Sequence, residues 1–591
     1  LAFPPQYHTY LTRKVWRSAL YPCHQNQDPK LLRGSGKLMF TLHPDLIMLQ
    51  NQSRLAPLRK SHTIHQHDSG RTSLQAGITR YPEGTSIIVA QITPLARANK
   101  SQRSPFDTEE GGFTGGQLAK FVQRWKALEA PKPIVTVLSG YALPFCNPPP
   151  FRSFHQPVPQ SLSTPSSPEM SIVIKDLLNH QVIAPATATS GFLSPLFLRP
   201  KTDGSLRPIF DLRHLNKYLK LKKFRLFNHF RIPTFLQQGD YLVTIDLSNA
   251  YCHIPIINRH QRFLGFHHEG VIYNWTCLPF GLASAPQTFG QLTNWVVAQL
   301  RNQGIRVVVY LDDFLIAAQS KTLLSKHAKD AVQLLKHLGW CVNIRKSRLS
   351  PARSQPFLGL VWNTKTQRVS LPSDKLTAIK GYLLRLRQRP VWSYRSCLQL
   401  IGRLNFASFA VPLGRLAIRP LQIAARHLPR GQPRRRTTIP PMAQTALTWW
   451  IHHIADGNPY QPPHRRVFLS TDASQWGIGV TIGMKKFQLQ WTPHQQQWHV
   501  NRQELYAVRW AIQTNLTTFT NCTTILVTDS VTVAAYIRKQ GGLRSQALLH
   551  ETARLLQLAH NNQTHIVPCY LPGRYNILAD RLSRNAPPPE W

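Results

Sequence analysis

The stretch from Arg306 to Ala318 constrains the fold more than any other part of the chain. It reads Arg-Val-Val-Val-Tyr-Leu-Asp-Asp-Phe-Leu-Ile-Ala-Ala, so two apolar runs flank two adjacent carboxylates, Asp312 and Asp313. Apolar runs of this length predict buried strands, and a two-residue polar step between them predicts a hairpin with acids at its tip. Buried carboxylates are costly unless a cation binds them, and Mg²⁺ prefers such ligands together with substrate phosphates. Taken alone, the stretch is equally compatible with an ordinary polar turn, in which Asp is common.

A third carboxylate and two cations precede this stretch. Asp246 follows the apolar run 241–245, which predicts a strand that carries the acid at its carboxyl end. Lys201 and Arg207 flank Asp203-Gly204, a turn signal between two extended runs, and cations on such a hairpin can clamp a triphosphate. For the cations alone, an exposed charged hairpin is the alternative. Three carboxylates together with two cations indicate two-metal phosphoryl transfer.

The charge of the chain indicates a polyanionic partner. Lys and Arg number 71 against 26 acids, for a formal charge of +45, while 42% hydrophobic residues are enough for folded cores. Residues 373–436 hold fourteen Lys or Arg and one acid, among apolar residues at helical spacing. We expect these helices to contact a nucleic-acid backbone through Arg385, Arg387 and Arg403, with a solvated charged face as the alternative.

A second set of acids follows residue 465. The pattern there predicts three strands, a helix, a strand, helices, a strand and a helix, with acids at neighbouring element ends: Asp472, Glu504, Asp529 and Asp580. Glu504 has an alternative role, because Asn501-x-x-Glu504 also has the form of a capping box. Asp472 and Asp529 each end an apolar strand in an otherwise basic chain, which favours a functional role.

The first group of motifs resembles the fingers and palm of reverse transcriptases. Asp246, a Leu-Pro-Phe-Gly run, Tyr-Leu-Asp-Asp and Phe-Leu-Gly at 357–359 stand in the order of that family. The resemblance implies that Asp246 and Asp312 hold two Mg²⁺ ions, which Mn²⁺ can replace, and that Asp313 assists them.

The same resemblance implies the residues that contact the incoming deoxynucleoside triphosphate. Lys201 and Arg207 would contact its phosphates, and Tyr251 would exclude a ribose 2′-OH by its bulk. Phe280 and Gly281 would complete the nucleotide pocket. Phe280 stands where retroviral enzymes carry Gln, a departure that retrotransposon and hepadnaviral enzymes share.

The C-terminal pattern resembles ribonuclease H, whose four carboxylates hold two Mg²⁺ ions around an RNA phosphodiester. The resemblance implies that the ligands here are Asp472, Glu504, Asp529 and Asp580. Many members carry a His on the loop before the last acid, but the corresponding loop 571–576 has none. Arg574 on this loop is therefore expected to contact nucleic acid, and an inert ribonuclease domain is a further alternative.

One lineage is more similar than the others. Gly-Gln-Leu at 116–118, the helix around Trp125, Lys-Gln-Gly-Gly at 539–542 and the segment 578–584 resemble DIRS-type retrotransposon polymerases. The resemblance covers roughly residues 113–585, and hepadnaviral and gypsy-type polymerases are more distant relatives.

These resemblances imply an α/β (α+β) multidomain fold, in which right-hand fingers, palm and thumb precede a ribonuclease H-like α/β domain. We expect the chain to divide into seven segments. They are a basic, Pro/Gln/Ser-rich and largely disordered segment 1–112, a helix with a Pro-rich linker 113–165, fingers and palm 166–362, a basic helical thumb 363–440, a linker helix 441–464, the ribonuclease H-like domain 465–585 and a tail 586–591.

The implied function is that of an RNA-directed DNA polymerase with a ribonuclease H activity. Its partners would be an RNA template, a DNA primer, the RNA–DNA hybrid and deoxynucleoside triphosphates. A decayed or domesticated element that binds nucleic acid without catalysis is the alternative. Eight Cys without a CxxC pair fit a reducing compartment, so an intracellular location is expected, and no apolar run predicts a membrane span.

Overall fold

The computed structural model of the protein describes residues 112–200 and 206–586. The segment 1–112, except its last residue, lies outside the described residues, and so do Lys201 and residues 587–591 of the predicted tail. All described residues belong to one compact unit. Helices and strands alternate along it, which confirms the predicted mixed α/β class. Within the described ranges, no helix has the length and apolar character needed to cross a bilayer.

The first part of the described chain forms a helical entry segment and the fingers. Its elements are α1 (Val122–Ala127), α2 (Lys132–Ser139), β1 (Arg152–Ser153), α3 (Pro168–Asn179), β2 (Ile183–Pro185), β3 (Ser190–Gly191), β4 (Leu196–Pro200) and β5 (Leu206–Phe210). Strands β4 and β5 pair antiparallel, so the two arms of the predicted hairpin are confirmed on either side of residues 201–205. The side chain of Trp125 is fully buried and donates to the carbonyl of Leu338 at 2.9 Å, which joins the entry segment to the palm core.

The palm follows as a sheet with helices packed against it. Its elements are α4 (Ile232–Phe235), β6 (Tyr241–Asp246), α5 (Asn258–Gln261), β7 (Gly265–His268), β8 (Val271–Trp275), α6 (Ala285–Asn302), β9 (Arg306–Tyr310), β10 (Asp313–Ala318), α7 (Lys321–His337) and β11 (Arg348–Ala352). The four-stranded sheet has the order β11-β6-β10-β9. Because β10 lies between β6 and β9, its residues 314–318 are buried, and its polar end meets that of β6 at one edge.

A helical unit then packs on the other face of the palm. Its elements are β12 (Ser354–Phe357), β13 (Leu360–Asn363), β14 (Arg368–Ser370), α8 (Ser373–Gln388), β15 (Val391–Ser393), α9 (Tyr394–Ala407), α10 (Gly414–Arg426), β16 (Arg436–Thr438), α11 (Pro441–His453) and β17 (Asn458–Pro459). Helix α11 buries Leu447 and Trp450 in the same core as α8 to α10. The helix predicted as a separate linker at 441–464 therefore shares one core with the helices predicted as the thumb.

The C-terminal domain is a five-stranded sheet with helices. Its elements are β18 (Arg466–Ala473), β19 (Gly477–Ile482), β20 (Lys485–Gln490), α12 (Pro493–Gln496), α13 (Val500–Thr514), α14 (Leu516–Phe519), β21 (Thr523–Thr528), α15 (Val531–Lys539), α16 (Gln546–Asn561), β22 (His565–Tyr570) and α17 (Ile577–Ser583). The strand order is β20-β19-β18-β21-β22, with β18, β21 and β22 parallel. The predicted order of strands and helices is observed, with the short helices α12 and α14 in addition.

Candidate active sites

The palm hairpin brings two sequence-predicted acids to one strand end. Strand β10 pairs with β9 so that Asp313 lies opposite Tyr310, which leaves Leu311 and Asp312 as the turn. The predicted turn, Asp312 with Asp313, is therefore wrong by one residue. Leu311 has a φ of 55°, which is strained for a bulky residue, and such strain often marks a functional turn.

Asp246 joins this pair from the neighbouring strand. The register of β6 against β10 places Asp246 directly opposite Asp313. The backbone N–H of Leu247 donates to the carbonyl of Asp312 at 3.3 Å, and that of Asp246 donates to the hydroxyl of Ser347 at 3.0 Å. The three predicted palm carboxylates thus lie on adjoining strand ends, held by backbone hydrogen bonds.

Burial acts on all three palm carboxyl groups, and repulsion from a neighbouring carboxylate adds to it at Asp246 and Asp313. Loss of solvation raises the pKa of Asp246 and Asp312, and it raises that of Asp313 to about 7 with help from its two neighbours. The ammonium of Lys346 opposes this rise at each carboxyl group. Asp246, Asp313 and Lys346 line one cavity of about 170 Å³ beside Gly359. Oxygen ligands that are crowded and poorly solvated fit a divalent cation.

Tyr251 and Phe280 stand next to these carboxylates. Tyr251 is buried, and its ring centroid lies 4.8 Å from that of Phe280, while Phe280 is half exposed. Burial raises the pKa of Tyr251, and the nearby charge of Asp312 adds to the rise. Gly281 has a φ of 96°, and a Cβ there would meet the carbonyl of Phe210 at 2.7 Å. Glycine is therefore required where the palm touches the fingers.

The cations of the fingers are only partly described. Arg207 is exposed on β5 and lies opposite Arg199 of β4, a cation that the sequence reasoning did not select. Lys201 lies outside the described residues. The exposed pair of arginines extends the predicted positive hairpin along both of its arms.

In the C-terminal domain, three of the four predicted acids converge. Asp472 is the last but one residue of β18, Asp529 follows the parallel neighbour β21, and Glu504 reaches them from α13. One ligand atom from each of these residues lies within 4.8 Å of the other two. No other group of three such ligand atoms occurs among the described residues, so the palm carboxylates are spread more widely.

Glu504 has no positive partner among the described residues, whereas Arg584 offsets part of the rise in the pKa of Asp472. Burial raises the pKa of Glu504 to about 9, with the charges of Asp472 and Asp529 adding to the rise, and burial raises that of Asp472 to about 6. Within the described chain, Oε2 of Glu504 is buried without a hydrogen-bond partner. An orphaned carboxylate oxygen between two other acids fits a bound divalent cation.

The capping-box alternative for Glu504 is wrong. Helix α13 begins at Val500, and its N-cap is His499, whose Nδ1 accepts from the backbone N–H of Asn501. Glu504 therefore lies beyond the first turn, where its carboxylate cannot reach the N-cap backbone. The sequence pattern misled because the true cap lies two residues before Asn501.

The fourth acid, Asp580, lies at the edge of the cluster. Its carboxylate accepts from Nε of Arg584 at 2.9 Å, one helical turn further along α17. Between them, the Ser583 hydroxyl donates to Oδ2 of Asp472 at 2.7 Å. The sequence reasoning missed Arg584 and Ser583, although the spacing of Asp580 and Arg584 signals a helical ion pair.

The comparisons with known proteins bear on the palm. Residues 199–362 match the family model described as reverse transcriptase (RNA-dependent DNA polymerase). This segment is a reverse transcriptase domain. It contains both strands of the Asp246–Asp313 pair and the Tyr-Leu-Asp-Asp hairpin.

Relatives of the reverse transcriptase domain are retroelement polyproteins. The Pro-Pol polyprotein of Feline foamy virus is 28% identical over 303 residues, which are 50% of this chain and 24% of that protein. The transposon Tf2-3 polyprotein of Schizosaccharomyces pombe is 22% identical over 293 residues, 49% of this chain and 21% of that protein. The chain thus spans about a quarter of the length of these relatives.

Solved structures give a weaker similarity. A foamy viral protease-reverse transcriptase in complex with an RNA/DNA hybrid has a TM-score of 0.45 and 20% identity, over 77% of this chain and 63% of that one.

Two predicted nucleic-acid contacts lie on the thumb that follows the reverse transcriptase domain. The guanidinium groups of Arg385 and Arg403 lie 5.7 and 5.5 Å from the ring centroid of Tyr382, one from α8 and one from α9. Arg387 is exposed on the same helix as Arg385. Arg385 and Arg403 therefore share one face formed by α8 and α9, whereas Arg387, two residues after Arg385, lies on another side of α8.

The loop before Asp580 carries Arg574 but packs through other residues. Arg574 lies 4.9 Å from the ring centroid of Tyr575, and a Cβ on Gly573 would meet Oδ2 of Asp529 at 2.9 Å. The buried side chain of Asn576 donates to the carbonyl of Thr471 at 3.1 Å. The loop thus lies against Asp529 at Gly573, and Arg574 is the next residue along the loop.

Proposed function

We propose that the chain is an RNA-directed DNA polymerase of a retroelement, which extends a DNA primer on an RNA template. The observation that carries this proposal is the register that sets Asp246 opposite Asp313, one residue from Asp312 at a buried strand end. A polar turn without function has no need of three desolvated acids and a lysine. The match of residues 199–362 to the reverse transcriptase family supports the same activity.

Asp246, Asp312 and Asp313 would hold two Mg²⁺ ions, or Mn²⁺ in their place. When bound, such ions lower the pKa of the attacking hydroxyl and offset charge on the leaving group. The chain keeps this set of ligands in position through the β6–β10 pairing and the Ser347 contact. Lys346 reduces the repulsion among the carboxylates and faces the same cavity, where it can also bind a phosphate.

The deoxynucleoside triphosphate would bind between this edge and the fingers. The exposed Arg207 would hold the phosphates together with Lys201, which lies outside the described residues, because a guanidinium offers paired donors to phosphate oxygens. The buried ring of Tyr251 would lie under the sugar and exclude a 2′-OH by its bulk. The half-exposed Phe280 and the close approach at Gly281 would shape the rest of the pocket.

Primer and template would lie along the thumb. Arg385 and Arg403 expose cations on one helical face and Arg387 exposes another on α8, and such contacts to phosphates hold a duplex without reading its sequence. The excess of 71 basic over 26 acidic residues supports the same partner.

We propose a second activity, ribonuclease H, for the C-terminal domain. The convergence of Asp472, Glu504 and Asp529 within 4.8 Å carries this proposal, because their crowding is unfavourable without a cation. The cluster would hold Mg²⁺, Asp580 would complete the ligand set on release from Arg584, and Arg574 would contact the hybrid. The substrate would be the RNA strand of the RNA–DNA hybrid left by the polymerase.

We further propose that the element is of DIRS type and acts inside the cell. Segments 116–118 and 539–542, which carry the resemblance to that lineage, form joints in the structure. Gln117 donates to the carbonyl of Gly339 at 2.6 Å, and Gly541 has a φ of 91°.

The polymerase proposal is tested by primer extension on an RNA template with Mg²⁺ and deoxynucleoside triphosphates. The purified wild type should extend the primer, and Asp312→Ala should not. Asp374→Ala removes an exposed carboxylate at the start of α8 and is the matched control, which should retain extension. A wild type that binds the hybrid without extending it would favour the decayed or domesticated element instead.

A further inference from the structure

Two arginines of α10 in the thumb bond to the C-terminal domain, and Arg419 makes more of these contacts than Arg426. In α10, Nε of Arg419 donates to the carbonyl of Gln540 at 3.2 Å, and a second nitrogen of the guanidinium donates to the carbonyl of Lys539. A third nitrogen donates to Oε1 of Gln422 on the same helix at 2.9 Å, which orients the group. Two turns along α10, Arg426 donates to the carbonyl of Leu543 at 2.7 Å.

The acceptors of Arg419 lie where α15 ends. The last carbonyls of a helix have no partner within it and form the negative end of its dipole, so they attract a cation. Helix α15 ends at Lys539, and Gln540 then adopts a φ of 52° and Gly541 one of 91°. This left-handed turn presents consecutive carbonyls toward α10, which the planar fork of one guanidinium can bind together.

Close packing completes the joint and demands a glycine. A Cβ on Gly541 would meet Cδ1 of Leu549 at 2.6 Å, Cδ1 of Leu416 at 3.6 Å and Cγ of Arg419 at 3.7 Å. Leu413, just before α10, packs against the core of the C-terminal domain. Burial lowers the pKa of Arg419, so its guanidinium has lost much of its water and depends on these carbonyls.

We propose that Arg419 is a positioning residue, which sets the distance between the polymerase and ribonuclease sites along a bound hybrid. The inference rests on the proposed function of both sites. Domains of one chain move relative to one another unless their interface is large and apolar, so specific contacts such as those of Arg419 are needed to keep two sites in register. Without it, each site would still act, but the cut in the RNA would no longer lie at a constant distance from the primer end.

The experiment maps RNA cuts on a hybrid whose DNA primer has a defined 3′ end, with the RNA labelled at its 5′ end. The wild type should cut within a narrow window behind that end. Arg419→Ala should spread the cuts, so that the fraction outside the wild-type window rises several-fold, while total extension and total cleavage stay near wild type. Arg415→Ala, one turn earlier and exposed, controls for the loss of one charge on the same helix.

A second measurement tests the Arg419 contacts without an activity assay. Hydrogen exchange of the amides in residues 539–543 should become faster in Arg419→Ala and stay at the wild-type rate in Arg415→Ala. Gly541→Ala disturbs the same joint from the other domain and should also spread the cuts, which provides a test should Arg419→Ala fail to fold. A narrow cut window with unchanged exchange in Arg419→Ala would overturn the proposal. Absence of RNA cutting by the wild type would instead refute the ribonuclease, and exchange would still test the Arg419 contacts.

Discussion

The two sets of carboxylates differ in how completely the fold assembles them. In the palm, Asp246 and Asp313 face each other across a strand pair with Asp312 in the turn, and Lys346 moderates their repulsion. In the C-terminal domain, one ligand atom from each of three acids lies within 4.8 Å of the other two. There, no lysine opposes the rise in the pKa of Glu504.

The difference follows from the elements that carry the acids. Neighbours on antiparallel strands project side by side, so the palm acids form a row that an ion and a substrate phosphate must draw together. Acids from two parallel strands and a helix converge from different directions, so the C-terminal cluster is preorganised and carries the electrostatic cost permanently. We infer that cation binding changes the protein's stability mainly through the second site.

The first prediction has the largest expected effect and tests whether the two sites act separately. Asp312→Asn should lower primer extension at least about 1,000-fold, a loss of about 4 kcal/mol of transition-state stabilisation, and leave RNA cleavage in a preformed hybrid intact. Asp529→Asn should do the reverse. Gel assays of both products from each purified variant measure this.

Circular dichroism and hybrid binding should show that both variants remain folded. If either folded variant lost both activities, the two sets of acids would not be independent sites.

Much of the palm could be predicted because its signals are local. The apolar runs around Asp312 and Asp313 form adjacent strands, and Asp246 ends a strand as expected. In the C-terminal domain, the strands that end at Asp472 and before Asp529 were equally clear. Local apolar runs are sufficient there, because β18 and β21 both lie inside the sheet.

The parts that were missed depend on contacts across the fold. Lys346 acts on three carboxyl groups that lie far from it in sequence, and Arg419 bonds to carbonyls more than a hundred residues away. A backbone acceptor leaves no trace in side-chain patterns. The predicted capping box at Asn501 was wrong for the opposite reason. The local motif is present in the sequence, but His499 is the N-cap residue in the structure.

The second prediction asks whether the palm selects its nucleotide by bulk. Tyr251→Ala should raise incorporation of ribonucleotides relative to deoxynucleotides by about 10- to 100-fold, because the ring beside Phe280 is removed. Single-nucleotide extension with matched deoxy- and ribonucleoside triphosphates measures the ratio. Tyr251→Phe keeps the ring and should keep the selectivity, so an equal loss in both variants would contradict a steric role.

The third prediction concerns the permanent cost of the C-terminal cluster. The folded pKa of Glu504, about 9, lies above its ordinary value of 4.5, so folding favours the protonated form. Its contribution to stability is fully present below pH 4.5 and is lost as the pH rises toward 9. In metal-free buffer, Glu504→Gln should therefore melt higher than wild type at pH 8, and the difference should shrink toward pH 5.

Addition of Mg²⁺ sharpens this test, because a bound cation replaces the missing positive partner. Mg²⁺ should raise the melting temperature of wild type more than that of Glu504→Gln at pH 8. Calorimetry of Asp313→Asn under the same conditions separates the two sites. That variant should keep the larger part of the rise in melting temperature that Mg²⁺ causes in wild type. An equal Mg²⁺ response in wild type and Glu504→Gln would show that the cluster is not where the cation binds.

The last and smallest effect concerns Asp580, the one acid that remains outside the cluster. Arg584 holds its carboxylate and competes with a cation for it, but the arginine side chain is 59% exposed, so the pair is worth at most about 1 kcal/mol. Arg584→Ala should therefore lower the Mg²⁺ concentration for half-maximal RNA cleavage by about two- to fivefold. Lys486→Ala removes one exposed charge from the same domain and should change it less. Primer extension should keep its Mg²⁺ dependence in both variants, and a rise in the Mg²⁺ requirement of Arg584→Ala would instead show that Arg584 keeps Asp580 ready for the cation.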